Sequence, residues 1–550
     1  MEPAIRRHAP IQGGRLPASE ATTARDLDRV LAYHQRTKHH LERYAAGPEA
    51  LDWSSQPDPF RSFKGAPAIP LPLGGDSLAT PFGQLQEPGR IAPQPLSLNA
   101  IALLLELSMG LSAWKEYGPD RWALRCNPSS GNLHPTEAYL VSQGVPDLPD
   151  GVYHYLSRDH ALEQRAACGS PGSEARAWIG LSSIHWREAW KYGERAFRYC
   201  QLDTGHALGA LRYAAAALGW RLRLVPGVGS QALGGLLGLD RAEDFFGTET
   251  EEAEVLLEVM VGNAEALPPP EPPSAAAWKG RANVLDPHPM YHWPVIDEVA
   301  EASRTAGEAE REVMPFGFPP RAACLTAEPA STLIRRRRSA QRFDNRPHMG
   351  AHQFYTILDA LLPRRAVPWD VWDFAPRLHP VLFVHRVEGL APGLYALLRD
   401  EVAGAGLRAA MLGSFAWTRP AGAPAHLPLY LLAEAGCGQL AKAIHCHQAI
   451  AADSGFALGM LAEFEETLSA APWRYRQLHW EAGLLGQVLY LEAEAAGLRG
   501  TGIGCYFDDS FHQLLGLTGN RYQSLYHFTV GFPLTDTRIL TLPPYPGRQP

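Results

Sequence analysis

The sequence lacks paired cysteines, long hydrophobic runs and an excess of basic residues. Its seven cysteines are scattered singly with no CxxC pair, which favours free thiols in a reducing compartment over a disulfide framework. No segment approaches the roughly 18 consecutive apolar residues of a membrane-spanning helix. The first 20 residues have no apolar core like that of a secretion signal. We therefore expect a soluble, cytoplasmic protein with no membrane partner.

The charge balance argues against nucleic-acid binding, and the placement of the histidines argues against a metal site. Net charge is −8 and the pI is near 6.2, whereas a nucleic-acid-binding protein would be basic, so we expect no nucleic-acid partner. Residues 445–447, His-Cys-His, are the one metal-like cluster. They lie in a stretch with helical spacing, where consecutive side chains do not share a face. We therefore predict no metal site.

The length and composition point to several folded domains. A chain of 550 residues with 46% hydrophobic and 20% charged residues can bury a sizeable core, and its length suggests about two to four domains. The proline-rich stretch 267–277, LPPPEPPSAAA, predicts an extended linker. We predict an N-terminal helical extension over 1–58, a first domain over 59–265, a linker over 266–329 and a second domain over 330–550.

The apolar spacing and the turn residues predict the main elements. The predicted helices are 22–44, 98–111 with Ser97 as its N-cap, and 207–218; the predicted strands are 138–141, 150–155, 220–225, 255–261 and 527–533. The run 439–468 also has helix-like spacing, which favours a core helix over a lid.

The two halves of the chain resemble each other. Residues 197–205 (FRYCQLDTG) align with 475–483 (YRQLHWEAG), and an Ala/Leu-rich helix follows each segment and ends at a glycine 14 residues on. Leu-His-Pro at 133–135 and at 378–380 precedes a strand and then Gly-Val-Tyr or Gly-Leu-Tyr. Two matches in the same order predict a duplication, whose units could pack their helices together as a homodimer does.

A turn of small polar residues stands at the centre of the first half. Residues 127–132, Asn-Pro-Ser-Ser-Gly-Asn, precede a buried strand at 138–141. Such a loop offers backbone N–H groups, hydroxyls and an amide, and Gly131 allows close approach to an anionic or flat ligand. A plain surface turn has the same composition, so composition alone does not distinguish a ligand-binding loop from a surface turn.

This segment resembles the Pro-Ser-x-x-Asn-x-(Gln/His)-Pro motif of the FMN-dependent nitroreductase superfamily, in particular its SagB-type (azoline) dehydrogenase branch. The resemblance implies that the loop hydrogen-bonds flavin across a dimer interface. The flavin ligands that it implies in this stretch are Arg125, Pro128, Ser129, Ser130 and Asn132.

The start of the second half resembles the superfamily's opening Arg-Arg-Ser-x-Arg-x-Phe signature. The resemblance implies that FMN phosphate and ribityl are bound by Arg335, Arg337, Arg338, Ser339 and Arg342. Guanidinium groups suit a phosphate because they bind oxyanions through two parallel hydrogen bonds. A solvated basic run before a helix is the alternative. Gln341 replaces a residue that is basic in many members, and Arg342 could substitute for it.

A glycine-rich segment follows near the C-terminus. It resembles the strand and loop whose backbone covers the flavin near N5, which implies contacts from Thr501, Gly502, Ile503 and Gly504. A tight turn is the alternative. It is not a dinucleotide fingerprint, because it follows a helix and not a strand. Arg538, just beyond the last predicted strand, occupies the place of a basic phosphate ligand in the family.

Residues 190–199, WKYGERAFRY, resemble the Lys-Tyr-Gly motif of the azoline dehydrogenases. The resemblance implies that Lys191 and Tyr192 abstract a proton from the substrate. A lysine beside apolar surface or cations can have a lowered pKa and act as a base. The alternative is that Lys191 and Tyr192 are simply surface residues at the exposed start of a helix. The second half has no such motif, since it reads Ala-Pro-Trp-Arg-Tyr at 471–475.

The halves carry complementary parts of one site. The first half has the Ser/Asn loop but only Pro-Phe-Arg-Ser-Phe (59–63) where an Arg-rich opening should lie. The second has the Arg-rich opening and the glycine-rich segment, yet its counterpart of the loop, Asp-Phe-Ala-Pro-Arg at 373–377, lacks the hydroxyls and the amide. We therefore predict one FMN per chain, between the halves.

The resemblance covers roughly residues 60–265 and 330–540. It implies an α+β fold of two tandem nitroreductase-like domains forming an intramolecular pseudo-dimer. The implied function is an FMN-dependent oxidoreductase that oxidises a C–N or C–C bond of a small-molecule or peptide substrate by two electrons. The alternatives are an NAD(P)H-dependent nitro or quinone reductase and a non-catalytic flavin-binding scaffold in a biosynthetic complex. Association into a further homodimer is left open.

Overall fold

The computed structural model describes residues 18–168, 174–262, 268–307, 317–321, 324 and 326–548. The helices are α1 Ala18–Arg36, α2 Leu98–Ser108, α3 His185–Tyr192, α4 Ala196–Ala217, α5 Ser230–Leu237, α6 Pro294–Ala302, α7 Ala330–Arg336, α8 Ala351–Ala360, α9 Glu401–Ala410, α10 Gly438–Ile444, α11 Ala449–Asp453, α12 Phe464–Ala470, α13 Arg474–Ala495 and α14 Asp508–Leu515. None of these described helices combines the length and the apolarity needed to cross a bilayer.

The strands are β1 Phe63–Lys64, β2 Ala68–Pro70, β3 Leu111–Tyr117, β4 Asp120–Arg125, β5 Thr136–Gln143, β6 Gly151–Leu156, β7 Ala161–Ala167, β8 Arg176–Ser183, β9 Trp220–Leu224, β10 Glu252–Val261, β11 Arg281–Ala282, β12 Phe343–Asp344, β13 Leu378–Val384, β14 Gly393–Leu397, β15 Leu429–Glu434, β16 Phe456–Glu463, β17 Arg499–Ile503, β18 Tyr522–Pro533 and β19 Leu540–Leu542.

Each half of the chain builds one seven-stranded sheet. The first has the order β2-β7-β6-β5-β8-β10-β9, and the second has the order β12-β18-β16-β13-β14-β15 with β17 paired to β18. Their strand pairs are antiparallel. The central strands β13 and β16 are buried along their whole length because helices cover both faces. The α+β class predicted from the sequence is confirmed.

The two long helices α4 and α13 pack against each other between the sheets. Each has 22 residues, and each is buried throughout. They touch at their tenth residues, Gly205 and Gly483. A methyl group at Gly205 would collide with the backbone of Trp480, and one at Gly483 with the carbonyl of Leu202. The glycines shared by the repeated segments therefore permit the backbones to approach closely.

Several predicted elements have different bounds in the structure. Ser97 accepts a hydrogen bond from the Ala100 N–H, which confirms the N-cap of α2. The helix predicted over 22–44 ends at Arg36. The single helix predicted over 439–468 is wrong, since this run holds α10, α11, β16 and α12. Left-handed conformations at Cys446 and His447 break it, and an all-apolar buried strand such as β16 cannot be told from a helix by spacing.

The segment predicted as a linker contains regular structure. Its proline-rich part, described from residue 268, has no helix or strand up to residue 274. Further along, β11 pairs with β1, and α6 packs against α1 and α4. Arg476 of α13 donates a hydrogen bond of 2.7 Å to the Ala300 carbonyl in α6. This segment is therefore folded onto both halves over much of its described length.

Candidate active site

A cavity of about 470 Å³ lies between the two halves. That volume is in the range of small-molecule and cofactor sites. Its first-half wall includes Lys115, Trp122, Leu124, Arg125, residues 127–132, His134, Tyr192, Tyr199, Asp203 and His206. Its second-half wall includes residues 337–341, Gln448, Tyr490, Arg499, residues 501–505, Tyr526, residues 534–536 and Ile539. The segments predicted to meet at one site thus line one cavity.

One end of the cavity is cationic. Arg337 is buried, and its guanidinium donates to the carbonyls of Cys126 and Arg125 at 3.1 Å. Arg338 donates to the carbonyls of Arg335 and Arg337 at 2.7 Å. Among the described residues, no carboxylate lies within ion-pair distance of Arg337, Arg338 or Lys115. Burial and the Arg337 charge lower the pKa of Arg338 to about 10. This end is therefore suited to an anion.

The lysine at this end lies near the same arginines. Burial, then Arg338 and Arg499, lower the pKa of Lys115 from its ordinary value. Its ammonium donates a 2.6 Å hydrogen bond to the Thr541 hydroxyl in the C-terminal tail. An anion bound between these side chains would offset their mutual repulsion.

The loop at 127–134 is held by its own hydrogen bonds. The Ser129 hydroxyl accepts from the His134 N–H at 2.8 Å, and the Asn132 amide donates to the Ala123 carbonyl at 2.9 Å. The Ser130 N–H and hydroxyl donate to the Asp203 carboxylate at 3.1 and 2.9 Å. The side chains predicted as ligands thus also build the loop. The Asn127 Oδ1 in the cavity wall is buried and has no hydrogen-bond partner among the described residues.

Asp203 is a buried carboxylate in the cavity wall. It projects from α4 and contacts the described chain through the Ser129–Ser130 turn. Burial raises its pKa to about 7, although the hydrogen bonds from Ser129 and Ser130 oppose the shift. Asp203 can therefore hold or release a proton close to neutral pH.

Tyr192 and Lys191 end helix α3 beside the loop. A methyl group on Gly131 would lie 2.6 Å from the Tyr192 hydroxyl, so that hydroxyl reaches the loop. Burial raises the pKa of Tyr192 well above its ordinary value, so its phenol stays protonated and can donate. Lys191 is not in the cavity wall; its ammonium lies 5.4 Å from the centre of the Tyr192 ring and 5.5 Å from that of Trp53. Burial lowers its pKa.

The glycine-rich segment forms the opposite wall. The Gly502 N–H donates to the Tyr490 hydroxyl at 3.1 Å, and the Thr501 hydroxyl donates to the Ala340 carbonyl at 2.6 Å. Side chains at Gly502 and Gly504 would collide with Tyr526 and Tyr199. The absence of side chains leaves room for these aromatic rings to line the cavity.

Three predicted ligands lie outside the cavity wall. Arg335 forms an ion pair with Asp76 at 2.6 Å, and the exposed Arg538 pairs with Asp536 at 2.6 Å. Arg342 is exposed, and its carbonyl accepts from the Leu534 N–H. Arg125 reaches the wall, but it donates to the carbonyls of Thr136 and Pro59. Arg335 and Arg538 are thus paired with local carboxylates and Arg342 is exposed, whereas Arg125 stays in the wall.

The sequence reasoning missed several residues of the wall, namely Lys115, Tyr199, Asp203, His206, Tyr490, Arg499 and Tyr526. All but Arg499, the first residue of β17, come from helix and strand interiors, where the direction of a side chain cannot be read from the sequence. Only the internal repeat could have pointed to Asp203, because Asp203 lies two residues before the glycine of α4 that both repeated segments share.

The position in the second half that corresponds to Asp203 holds a glutamate with different partners. The eighth residue of α13 is Glu481, which matches Asp203 as the eighth residue of α4. Glu481 accepts from the Arg377 N–H at 3.0 Å and forms a buried ion pair with Arg399. The Arg399 guanidinium stacks on Trp369 with 4.6 Å between its carbon and the ring centre. Protein side chains therefore satisfy this carboxylate.

Residues 334–532 match the nitroreductase family model. The match covers about a third of the chain and includes the second sheet and the glycine-rich segment. The chain therefore contains a nitroreductase-family domain, and this family consists of oxidoreductases that are usually flavin-dependent.

Two single proteins are similar to this chain. A candidate nitroreductase of Methanocaldococcus jannaschii is 25% identical over 138 residues, which cover 23% of this chain and 66% of that protein. The crystal structure of a candidate nitroreductase from Anabaena variabilis superposes with a TM-score of 0.64 and 22% identity, covering 92% of this chain and 99% of that one. The latter shows that the fold is shared along nearly the whole chain.

Proposed function

We propose that the protein is an FMN-dependent oxidoreductase of the SagB type, with one flavin in the cavity between the halves. The observation that carries the proposal is the cationic end formed by the buried Arg337 and the half-buried Lys115 and Arg338, whose side chains have no carboxylate within ion-pair distance among the described residues. A flavin phosphate would supply the missing negative charge. The bound flavin would accept a hydride equivalent and pass on two electrons.

The rest of the cavity wall fits a flat ring system with polar edges. Tyr199, Tyr490 and Tyr526 provide aromatic surface, and the glycines at 502 and 504 keep side chains out of the space between them. The unpartnered Asn127 Oδ1 could accept a hydrogen bond from the ring. The loop at 127–132 would orient the ring from the first half, as the family motif implies.

The proton chemistry is assigned to the end of α3. Burial keeps the Tyr192 phenol protonated, so Tyr192 serves as a hydrogen-bond donor at the reacting end. Lys191, whose pKa is lowered by burial, lies behind the Tyr192 ring and is the base of the pair.

The tandem pseudo-dimer remains part of this proposal. The matched glycines of α4 and α13 and the two sheets of equal strand number support it. The buried Arg399–Glu481 ion pair favours one flavin site over two, because it fills the place in the second half that corresponds to Asp203 in the cavity wall. The predicted domain bounds, 59–265 and 330–550, stay as proposed.

The direct test is FMN binding by charge variants. Arg338→Gln should weaken FMN binding by about tenfold, because a hydrogen bond to a charged group is worth about 1.5–3 kcal/mol. Arg346→Gln is the matched control, since Arg346 is exposed and pairs with Asp344. Equal dissociation constants for the two variants, measured by quenching of flavin fluorescence, would remove the cationic end from the proposal.

A second candidate is an NAD(P)H-dependent nitro or quinone reductase that uses the same flavin. The nitroreductase-family match of residues 334–532 favours it. Rapid bleaching of the bound flavin by NADPH without any peptide substrate would support this candidate. Bleaching only by an azoline-containing peptide would support the dehydrogenase.

A further inference from the structure

Two cysteine thiols meet at the edge of the cavity. Cys505 follows β17 and belongs to the cavity wall, and Cys446 lies in the turn between α10 and α11. Their sulfur atoms are 2.6 Å apart, and both residues are half-buried. A disulfide bond is about 2.05 Å long, so little movement separates the two thiols from a covalent link.

The two segments are fixed against each other by the main chain. The Phe507 N–H donates to the Ile444 carbonyl at 2.8 Å, and the Gln448 amide donates to the Cys505 carbonyl at 3.1 Å. Cys446 adopts a left-handed conformation with φ of 50°, which is uncommon outside glycine. The thiols are therefore held together before any reaction, so that closing the bond loses little entropy.

The surroundings favour a thiolate at Cys505. The contact with Cys446 and, to a smaller extent, the Arg195 guanidinium lower the pKa of Cys505, although burial and the Asp508 carboxylate oppose the shift. Arg195 is placed by its hydrogen bond of 3.2 Å to the Gly504 carbonyl. Burial instead raises the pKa of Cys168, a half-buried thiol just after β7. Thiolates, not thiols, attack disulfides.

We propose that Cys446 and Cys505 form a redox-active dithiol that reacts with small-molecule disulfides and becomes a disulfide in the cavity wall. The Cys505 thiolate attacks one sulfur of the disulfide R–S–S–R and releases R–S⁻. Cys446 then gives its proton to the released R–S⁻, and its thiolate attacks the Cys505 sulfur of the mixed disulfide, breaking that S–S bond and releasing the second R–S⁻, which takes up a proton from water. The protein thiols are oxidised and R–S–S–R is reduced to two thiols. The inference does not depend on the proposed flavin function.

The test treats the full-length, pre-reduced protein with glutathione disulfide and maps its peptides by mass spectrometry without reduction. We expect a Cys446–Cys505 linked peptide at a level at least about tenfold above any other pair, and its loss on adding dithiothreitol. Cys446→Ser should instead accumulate a glutathione adduct at Cys505, because the second attack is missing. Cys168→Ser is the matched control and should leave the linked peptide unchanged.

Three results would overturn the proposal. One is equal alkylation of Cys446 and Cys505 before and after glutathione disulfide. Another is a linked peptide no more abundant than random pairs. The third is a Cys446→Ser protein in which Cys505 gains no more glutathione than Cys168 does, since that would show that Cys505 is not the attacking thiol.

Discussion

Asp203 connects the loop at 127–132 to the long helix of the first half. Its carboxylate accepts from the N–H and the hydroxyl of Ser130, so it fixes the turn that faces the cavity. Burial raises its pKa to about 7. The folded protein therefore binds this proton more tightly than the unfolded chain, in which an aspartic acid has a pKa of about 3.9.

This shift predicts a pH-dependent difference between the protein and Asp203→Asn. The raised pKa of Asp203 adds stability that is fully present below about pH 4 and is lost as the pH rises towards 7. The free energy of unfolding of Asp203→Asn, relative to the native chain, should thus rise by about 2–4 kcal/mol between pH 4.5 and 7.5. Urea unfolding over this pH range measures it. Asp147→Asn, at an exposed position, is the control for the substitution itself, and a flat difference for Asp203→Asn would contradict the assignment.

Tyr192 and Lys191 give a second prediction at this scale. Tyr192→Phe and Lys191→Ala should each lower the rate of oxidation of a thiazoline-containing peptide by about 10²–10⁴-fold, the usual contribution of a positioned acid or base. Both variants should keep the flavin spectrum of the native protein. Tyr355→Phe, in α8 of the second half, is the control and should be fully active. Unchanged rates in the α3 variants would remove both residues from the mechanism.

At the residue scale, the sequence predicted what short motifs encode. Ser130, Arg337 and Gly502 line one cavity, as predicted. They could be predicted because their motifs stand at loops and strand ends, where turn-forming residues are recognisable in a sequence. Lys115 and Tyr490 come from a strand and a helix interior, where a sequence gives no sign of which way a side chain faces. Arg538 has a carboxylate two residues away, and this local ion pair holds it on the surface.

At the level of elements, the crossing of α4 and α13 determines how the halves meet. Gly205→Ala should lower the free energy of unfolding by at least about 2–3 kcal/mol, because the added methyl meets rigid backbone that cannot move aside. Gly234→Ala in α5 is the matched control: nothing lies within 4 Å of its added carbon, so it should be neutral or stabilising by up to about 1 kcal/mol. Thermal or urea unfolding measures both free energies, and an equal change in the two variants would contradict the close crossing of α4 and α13.

The elements that were predicted best are those with clear ends. Ser97 marks the start of α2, and a glycine follows both long helices. The run 439–468 was misread because two short helices and a buried strand all show dense apolar residues, and the left-handed turn at 446–447 has no glycine to announce it. Tertiary contacts there override local spacing.

On the scale of the whole molecule, the C-terminal tail of the second half closes over the first. Strand β19 pairs with β3, and the Tyr545 hydroxyl accepts from the Leu111 N–H and donates to the Ser157 carbonyl at 2.8 and 3.0 Å. Arg548 donates to the Leu71 carbonyl at 2.6 Å. Residues 534–536 and Ile539 of this tail also line the cavity. The cavity is thus enclosed by both halves together.

The central claim is one flavin per chain, bound between the halves. The most direct measurement is the visible absorption spectrum of the purified chain after incubation with FMN and removal of the excess, followed by identification and quantification of the released cofactor. We expect FMN at one molecule per chain. A ratio of two, or a colourless protein that takes up no FMN, would contradict the account.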